Sequence, residues 1–342
     1  MIIRSKAPLR LGLAGGGTDV APYSDLYGGA VLNATTNLYA YATLIPRNDG
    51  KINVELINKS LAFHYDSSLT IDTGKEDSIP AGVYNRIVKD FTGTPLSFDL
   101  ILYVDAPPGT GLGTSSTLLV TVLGAFVEWL KLPLGEYDIA KLAWEIERKD
   151  LSMEGGKQDQ YAATFGGFNY MEFNNGNVIV NPLRIKPMLM DELSHNFLLY
   201  YTGTSRLSSR IISEQSDNVR NSSRKPIEAM HRLKEQAGLM KEIILKGEFD
   251  EIGPSLDFGW KYKKGMAGGI SNKGIDLIYD AAIKNGAAGG KITGAGGGGY
   301  LVFYCPGVTR YKMNDALSAY KGHIEPFEFT EKGLETWTVK NS

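Results

Sequence analysis

The sequence predicts an α+β protein in two parts, residues 1–190 and 191–342. Three observations carry that prediction. At 342 residues the chain is long for a single hydrophobic core. Its first hundred residues are mostly β-prone, whereas helical spacing of apolar residues governs much of the remainder. Its 40 glycines exceed the roughly 7% of an average protein, and many of them gather in a few loops.

The elements run in order along the chain. Residues 31–46 form a long β-prone stretch with Leu38, Tyr39, Tyr41 and Leu44, and Lys51–Leu56 alternates apolar with polar. Residues 81–91 read as a short helix and 97–104 as a strand that runs directly into Pro107-Pro-Gly-Thr-Gly-Leu-Gly-Thr-Ser-Ser116. A helix is expected over 117–130, weakened only at Gly124. Another spans 135–151, with Ile139, Leu142, Ala143 and Ile146 on one face, and a short one comes after Gly155 and Gly156. Strands are expected at 168–172 and 197–201. Residues 213–224 are polar, and Ser223-Arg-Lys-Pro226 reads as a helix start, with Ile227 to Ile244 in helical spacing and Gly247 as the stop. A further helix uses Ile275, Ile278, Ala282 and Ile283 before Gly286. Two strands, a helix near 313–320 and two last strands complete the chain.

Composition excludes several functions. A net charge of −2 supplies no basic field for nucleic acid. The longest apolar stretch, 117–130, is too short for a membrane span and carries Glu128. The N-terminus lacks the apolar core of a signal peptide. One cysteine, Cys305, forbids an internal disulfide and suits a reducing, cytoplasmic compartment. The four histidines are isolated, without metal-ligand spacing. A small-molecule enzyme or binding protein remains, of an oligomeric state that the sequence leaves open.

The glycines indicate where ligands bind. Gly109, Gly111 and Gly113 lie between a strand and a helix, where successive N–H groups and the helix dipole suit a phosphate. Thr114, Ser115 and Ser116 add hydroxyls that can cap the helix or reach a nucleotide-held metal. A capped tight turn accounts for fewer glycines than these three. No Gly-x4-Gly-Lys-Ser/Thr loop occurs. Gly294 to Gly299 matches Gly-x-Gly-x-x-Gly literally, but only 43 residues remain after it, too few for a dinucleotide domain.

Three stretches in order resemble the motifs of the GHMP small-molecule kinases, the family of galactokinase, homoserine kinase, mevalonate kinase and phosphomevalonate kinase. They are Ala7-Pro-Leu-Arg-Leu-Gly-Leu-Ala-Gly-Gly-Gly-Thr-Asp19, Pro107 to Ser116, and Lys291-Ile-Thr-Gly-Ala-Gly-Gly-Gly-Gly299. The resemblance implies a ribosomal-protein-like N-terminal domain, a ferredoxin-like C-terminal domain and ATP in the cleft between them. It implies that Pro108, Gly109, Gly111, Leu112, Gly113, Thr114, Ser115 and Ser116 wrap the triphosphate. Gly296 and Gly297, in the third motif, would help shape the substrate pocket.

The resemblance also assigns chemistry. Asp159, in Gly155-Gly-Lys-Gln-Asp-Gln-Tyr161, matches the family's catalytic base; from the residues alone it could equally be a first-turn carboxylate stabilising a helix. Arg10 would stand beside the acceptor hydroxyl and stabilise the transferring phosphoryl group. Ser115 matches a Mg²⁺-binding serine, and Glu147 is the candidate carboxylate partner, with Glu145 and Glu154 as alternatives. Asp19 and Thr18 would accept sugar hydroxyls. Gly16 and Gly17 stand where galactokinases have Glu-His, which points away from galactose. The whole first motif resembles the D-glycero-D-manno-heptose 7-phosphate kinases, and fucose kinases share a related string. A phosphorylated sugar needs an anion site, for which Arg206, Arg210 and Lys157 are candidates; a solvated helix start explains the two arginines equally well. The expectation is an ATP- and Mg²⁺-dependent kinase acting on the anomeric hydroxyl of a heptose 7-phosphate. The alternatives are a fucose or other hexose 1-kinase, a non-catalytic sugar sensor, and a decarboxylase of the mevalonate branch.

Overall fold

The computed structural model describes residues 1–72, 74, 76–204 and 209–340. The strands are β1 (Ile2–Ala14), β2 (Gly29–Pro46), β3 (Lys51–Leu56), β4 (Leu61–Asp66), β5 (Phe98–Val104), β6 (Phe168–Asn174), β7 (Asn177–Pro182), β8 (Phe197–Tyr201), β9 (Gly289–Ile292), β10 (Tyr300–Tyr304), β11 (His323–Glu325) and β12 (Glu335–Val339). The helices are α1 (Tyr23–Tyr27), α2 (Ser78–Ile87), α3 (Thr114–Leu130), α4 (Glu136–Glu145), α5 (Gln158–Phe165), α6 (Pro187–Asn196), α7 (Ser209–Arg220), α8 (Arg224–Lys246), α9 (Ile252–Lys263), α10 (Lys273–Lys284) and α11 (Thr309–Leu317).

Two sheets organise the chain. The larger runs β12-β1-β2-β5-β3-β4, with β6 on β2 and β7 on β6. Among the described residues its only parallel pair is β3 with β5. The long strand β2 serves two neighbours on one side, β6 through Gly29 to Ala34 and β5 through Ala40 to Pro46, while β1 pairs along the other. The smaller sheet is the antiparallel set β11-β8-β10-β9. No described helix is long and apolar enough to cross a membrane.

Burial explains why these strands persist. From Ala7 to Ala14 every residue of β1 is buried, so this strand is covered on both faces and does not alternate. One face of the large sheet packs on α2, α3 and α4, where Phe98 meets Phe126 edge-on at 5.1 Å between ring centroids. The other face contributes Leu9, Leu11, Leu13 and Leu32 to a second core. That core also takes Ala237 and Met240 of α8, Leu256 of α9, and Leu199 and Val302 of the small sheet. The two sheets therefore share a core, and each buried leucine in it contributes roughly 1.5–3 kcal/mol of apolar burial.

Several elements depart from expectation. Helix α3 starts at Thr114, because Gly113 takes a left-handed cap at φ +76°. Helix α4 ends at Glu145 and widens into a turn in which Leu151 N–H donates to the Ile146 carbonyl five residues back, at 2.9 Å. Helix α7 occupies part of the polar stretch, since Ile211, Gln215 and Val219 give it only a narrow buried stripe. Helix α9 is concealed in sequence by Gly253, Pro254 and Gly259, yet Ile252, Leu256, Trp260 and Lys263 make a continuous buried face. The expected boundary near residue 190 falls inside α6, and β12 returns to pair with β1, so the large sheet uses both ends of the chain.

Candidate active site

The second glycine loop is drawn against β1. Arg10 N–H donates to the Leu112 carbonyl at 3.1 Å, and its Nη1 donates to the Gly111 carbonyl at 2.6 Å. Gly111 has φ +85°, and a Cβ there would stand 2.6 Å from the Thr293 carbonyl oxygen. Only glycine lets the second and third motifs approach this closely. Beyond the loop, Thr117 N–H bonds the Gly113 carbonyl at 2.9 Å. The N–H groups of Thr114, Ser115 and Ser116 thus lack intrahelical acceptors at the positive end of α3. Pro108, Gly109, Gly111, Gly113, Thr114, Ser115 and Ser116 line a cavity of about 480 Å³. Leu112 does not; it is buried in the shared core and serves through its carbonyl.

The facing wall carries the charges. Asp159, in the first turn of α5, accepts from Arg10 Nε at 2.7 Å and pairs with Arg10 Nη2 at 2.6 Å, both through Oδ1. Its Oδ2 accepts no hydrogen bond from the described residues, and it stands 3.3 Å from where a Gly113 Cβ would lie. One carboxylate oxygen is thus held by a charge-assisted pair and the other is left to the cleft. Glu147, on the wide turn after α4, is buried and accepts from Ser116 Oγ at 2.7 Å and from Gln160 Nε2, with Arg148 Nη1 3.4 Å from its other oxygen. Ser115 lines the cavity and its hydroxyl makes no hydrogen bond among the described residues. Glu154 lines the cavity, whereas Glu145 turns away to Lys149 and Arg86.

The sugar-side residues arrange themselves differently from expectation. Asp19 lines the cavity, but its carboxylate accepts four N–H groups. Lys157 and Gln158 backbone N–H reach Oδ2 at 3.0 and 3.1 Å, and Gln158 Nε2 and Gly17 N–H reach Oδ1 at 2.9 and 3.3 Å. A carboxylate has about four acceptor positions, so this one holds the start of α5 and none is left over for a sugar. Thr18 is fully buried and outside the lining, its hydroxyl donating toward the Gly15 and Ala30 carbonyls. Lys157 turns away, pairing with Asp25 at 3.2 Å over the Trp144 ring. Gly16 and Gly17 line the cavity. Gly296 and Gly297 pack on Ile270 behind Gly294 and Ala295, which do line it. Arg210 is exposed on α7 and is not among the lining residues, although Ser209 and Ile212 on the same turn are, and Arg206 lies outside the described residues.

Two lysines that the motifs did not single out stand in this wall. Lys263 ends α9 and is 3% exposed; burial, with Arg10 nearby, lowers its ammonium to about 8, opposed by Asp19. Lys291 donates to the Gly12 carbonyl at 2.8 Å, and burial with Lys263 and Arg10 nearby holds it well below 10.5. Lysine at a buried position of the α9 stripe was the available signal for the first. For the second it was the opening lysine of the third motif.

Backbone donors facing an arginine-bound carboxylate across a cleft between two α+β halves define a small-molecule phosphotransferase. Comparison with known proteins agrees. Residues 78–167 match the GHMP kinases N terminal domain and residues 239–320 the GHMP kinases C terminal domain. A D-glycero-alpha-D-manno-heptose 7-phosphate kinase from Campylobacter jejuni is 48% identical over 98% of this chain and 99% of its own. A solved structure described as a D-glycero-D-manno-heptose 1-phosphate kinase, from Bacteroides thetaiotaomicron, superimposes with a TM-score of 0.85 at 44% identity, covering 99% of this chain and all of the other. An L-fucokinase/L-fucose-1-P guanylyltransferase from Bacteroides fragilis is 28% identical over 88% of this chain, which spans only 34% of that larger protein. The chain belongs to the GHMP kinases, ATP-using phosphotransferases, and has their two-domain fold.

Proposed function

We propose that this kinase transfers the γ-phosphoryl group of ATP to the anomeric hydroxyl of D-glycero-D-manno-heptose 7-phosphate. The observation that carries the chemistry is the divided carboxylate of Asp159, with Oδ1 on Arg10 and Oδ2 free toward the phosphate loop. The sugar hydroxyl gives its proton to Oδ2 as its oxygen bonds to the γ-phosphorus, while the bond to the bridging oxygen breaks and ADP leaves. Arg10 stabilises charge on the transferring group, and the first-turn N–H groups of α3 hold the remaining phosphates. Asp19 acts as a positioning residue, fixing the turn that carries Asp159. The heptose 7-phosphate assignment rests on the first motif and on the full-length similarity to a kinase of that name.

A Mg²⁺ ion fits the donors on this wall. A hard cation takes oxygen ligands and is commonly shared between one or two protein groups and substrate phosphates. The free Ser115 hydroxyl and the buried Glu147 carboxylate are such groups, and no cluster of three or more metal-binding side chains occurs among the described residues. Ser115 and Glu147 would hold the ion, which when bound neutralises phosphate charge.

The test is turnover with ATP and Mg²⁺ on a panel of heptose 7-phosphate, fucose, galactose, N-acetylhexosamines and mevalonate, the product identified by phosphorus NMR. The expected outcome is a new anomeric phosphate on the heptose, formed with the highest kcat/KM of the panel. Preference for fucose, or silence on every sugar, would overturn the proposal.

A further inference from the structure

Lys263 is a lysine set into the wall of the cavity. Its ammonium makes no hydrogen bond or ion pair with any described residue, although the side chain is almost wholly buried and lines the cavity. An isolated buried ammonium is costly unless something compensates it. The nearby carboxylates are already engaged: Asp19 by four N–H groups and Asp159 by Arg10. Arg10 and Lys291 add positive charge, and Lys291 is held by the Gly12 carbonyl. This end of the cleft thus carries a cation with no hydrogen-bonded or ion-paired acidic partner among the described residues, opposed by Asp19 through charge alone.

Position separates this cation from the triphosphate loop. Lys263 Nζ lies 3.7 Å from where a Cβ on Gly16 would stand, in the first glycine loop and not in residues 107–113. Because Gly16 has no side chain, the ammonium faces open space. Gln215 of α7 lines the same end, buried and also without a side-chain hydrogen bond among the described residues. Its Oε1 lies 3.5 Å from where a Gly17 Cβ would stand. The ammonium and the amide, carried on buried residues but open to the cavity and without hydrogen-bond partners among the described residues, lie beside the acceptor-side glycines and suit an anionic oxygen-rich group.

We infer that Lys263, with Gln215 beside it, binds the phosphate that the acceptor sugar already carries, and that this contact makes the enzyme select phosphorylated sugars. The inference rests on the acceptor being a sugar phosphate, as proposed above. It moves the anion site away from Arg210, which is not among the lining residues, to a residue on α9.

The measurement is the ratio of kcat/KM for heptose 7-phosphate to that for unphosphorylated heptose, in the wild type, Lys263→Met and Lys263→Arg. A hydrogen bond to a charged group is worth about 1.5–3 kcal/mol, so the ratio should fall about 10- to 100-fold in Lys263→Met. Most of that fall should be a rise in KM for the phosphorylated sugar, and Lys263→Arg should recover part of it. ATP binding, read in parallel, reports that each variant is folded, and Lys263→Gln repeats the test if the methionine variant is not. An unchanged ratio, with both sugars losing equally, would overturn the inference and assign Lys263 to the transferred group. A wild type that shows no preference for the phosphorylated sugar would instead overturn the substrate assignment on which the inference rests.

Discussion

The two walls of the cleft solve the same electrostatic problem by different means. On the loop side, the lining residues between Pro108 and Ser116 include no lysine or arginine, and the start of α3 offers backbone N–H groups. On the acceptor side, Arg10, Lys263 and Lys291 present side-chain cations from β1, α9 and β9. Backbone donors are fixed in place by the fold and tolerate any nucleotide phosphate that fits the loop. Side-chain cations cost burial, and they are retained where one particular anion must be selected. On the reading proposed above, the loop wall holds the nucleotide and Lys263 on the other wall selects the acceptor.

Substitutions can break this contrast, and the largest effect belongs to the residue between the walls. Asp159→Asn should lower kcat by about 100- to 10,000-fold, the range for loss of a general base, while ATP binding measured by calorimetry persists. Retained turnover would remove Asp159 from the chemistry. On the loop side, Gly111→Ala forces a Cβ to within 2.6 Å of the Thr293 carbonyl oxygen at a left-handed φ. Strain of about 1–3 kcal/mol should weaken ATP binding roughly 5- to 100-fold with little change in sugar specificity.

Asp19→Asn distinguishes a positioning role from a sugar contact. Exchanging one acceptor oxygen for a donor leaves N–H groups of the α5 start unpaired, so kcat should fall about tenfold with a cost of about 1–3 kcal/mol in stability. Should KM for the sugar rise while kcat holds, Asp19 binds sugar as the motif suggested. The smallest effect is in pH. Lys263 titrates near 8, flanked by Arg10, Lys291 and Asp19. As pH rises the ammonium is lost, so kcat/KM for the phosphorylated sugar should be about halved at pH 8 and fall further above it, a limb absent from Lys263→Met. Stability runs the opposite way. Between about 8 and 10.5 the unfolded lysine holds a proton that the folded one has released, so unfolding becomes harder as pH rises.

Legibility divides along the same line. The loop wall was readable because its geometry is local: alternating glycines, a strand before and a helix after. The motif around Asp159 pointed to a residue that the fold sets in the cavity beside Arg10. The acceptor wall was readable only in part: the first motif named Arg10, Gly16, Gly17 and Asp19, whereas Lys263 joins them only through the fold. Asp19 carries a ligand-binding signature in sequence, yet its four acceptor positions go to N–H groups of residues 17, 157 and 158. Lys263 sits in a helix that glycine and proline concealed, and nothing in its neighbourhood announces that its head is unpaired. Arg206 and Arg210 looked more like an anion site than the lysine did, since an exposed cation such as Arg210 and a buried one such as Lys263 are alike in sequence.

The return of β12 to β1 bears on how the molecule is made. Residues 335–339 pair with residues 2–6, so β1 takes its outer neighbour from a strand more than 300 residues away in sequence. Arg10 lies four residues further along that same strand. This edge of the large sheet, which leads on to Arg10, is therefore finished only when residues 335–339 are in place, and Ile2 and Val339 lie side by side. A circular permutant linking residue 340 to residue 1 and opened at a distant surface turn should fold to an active kinase, whereas a fragment ending at residue 190 leaves an unpaired edge strand beside the catalytic arginine.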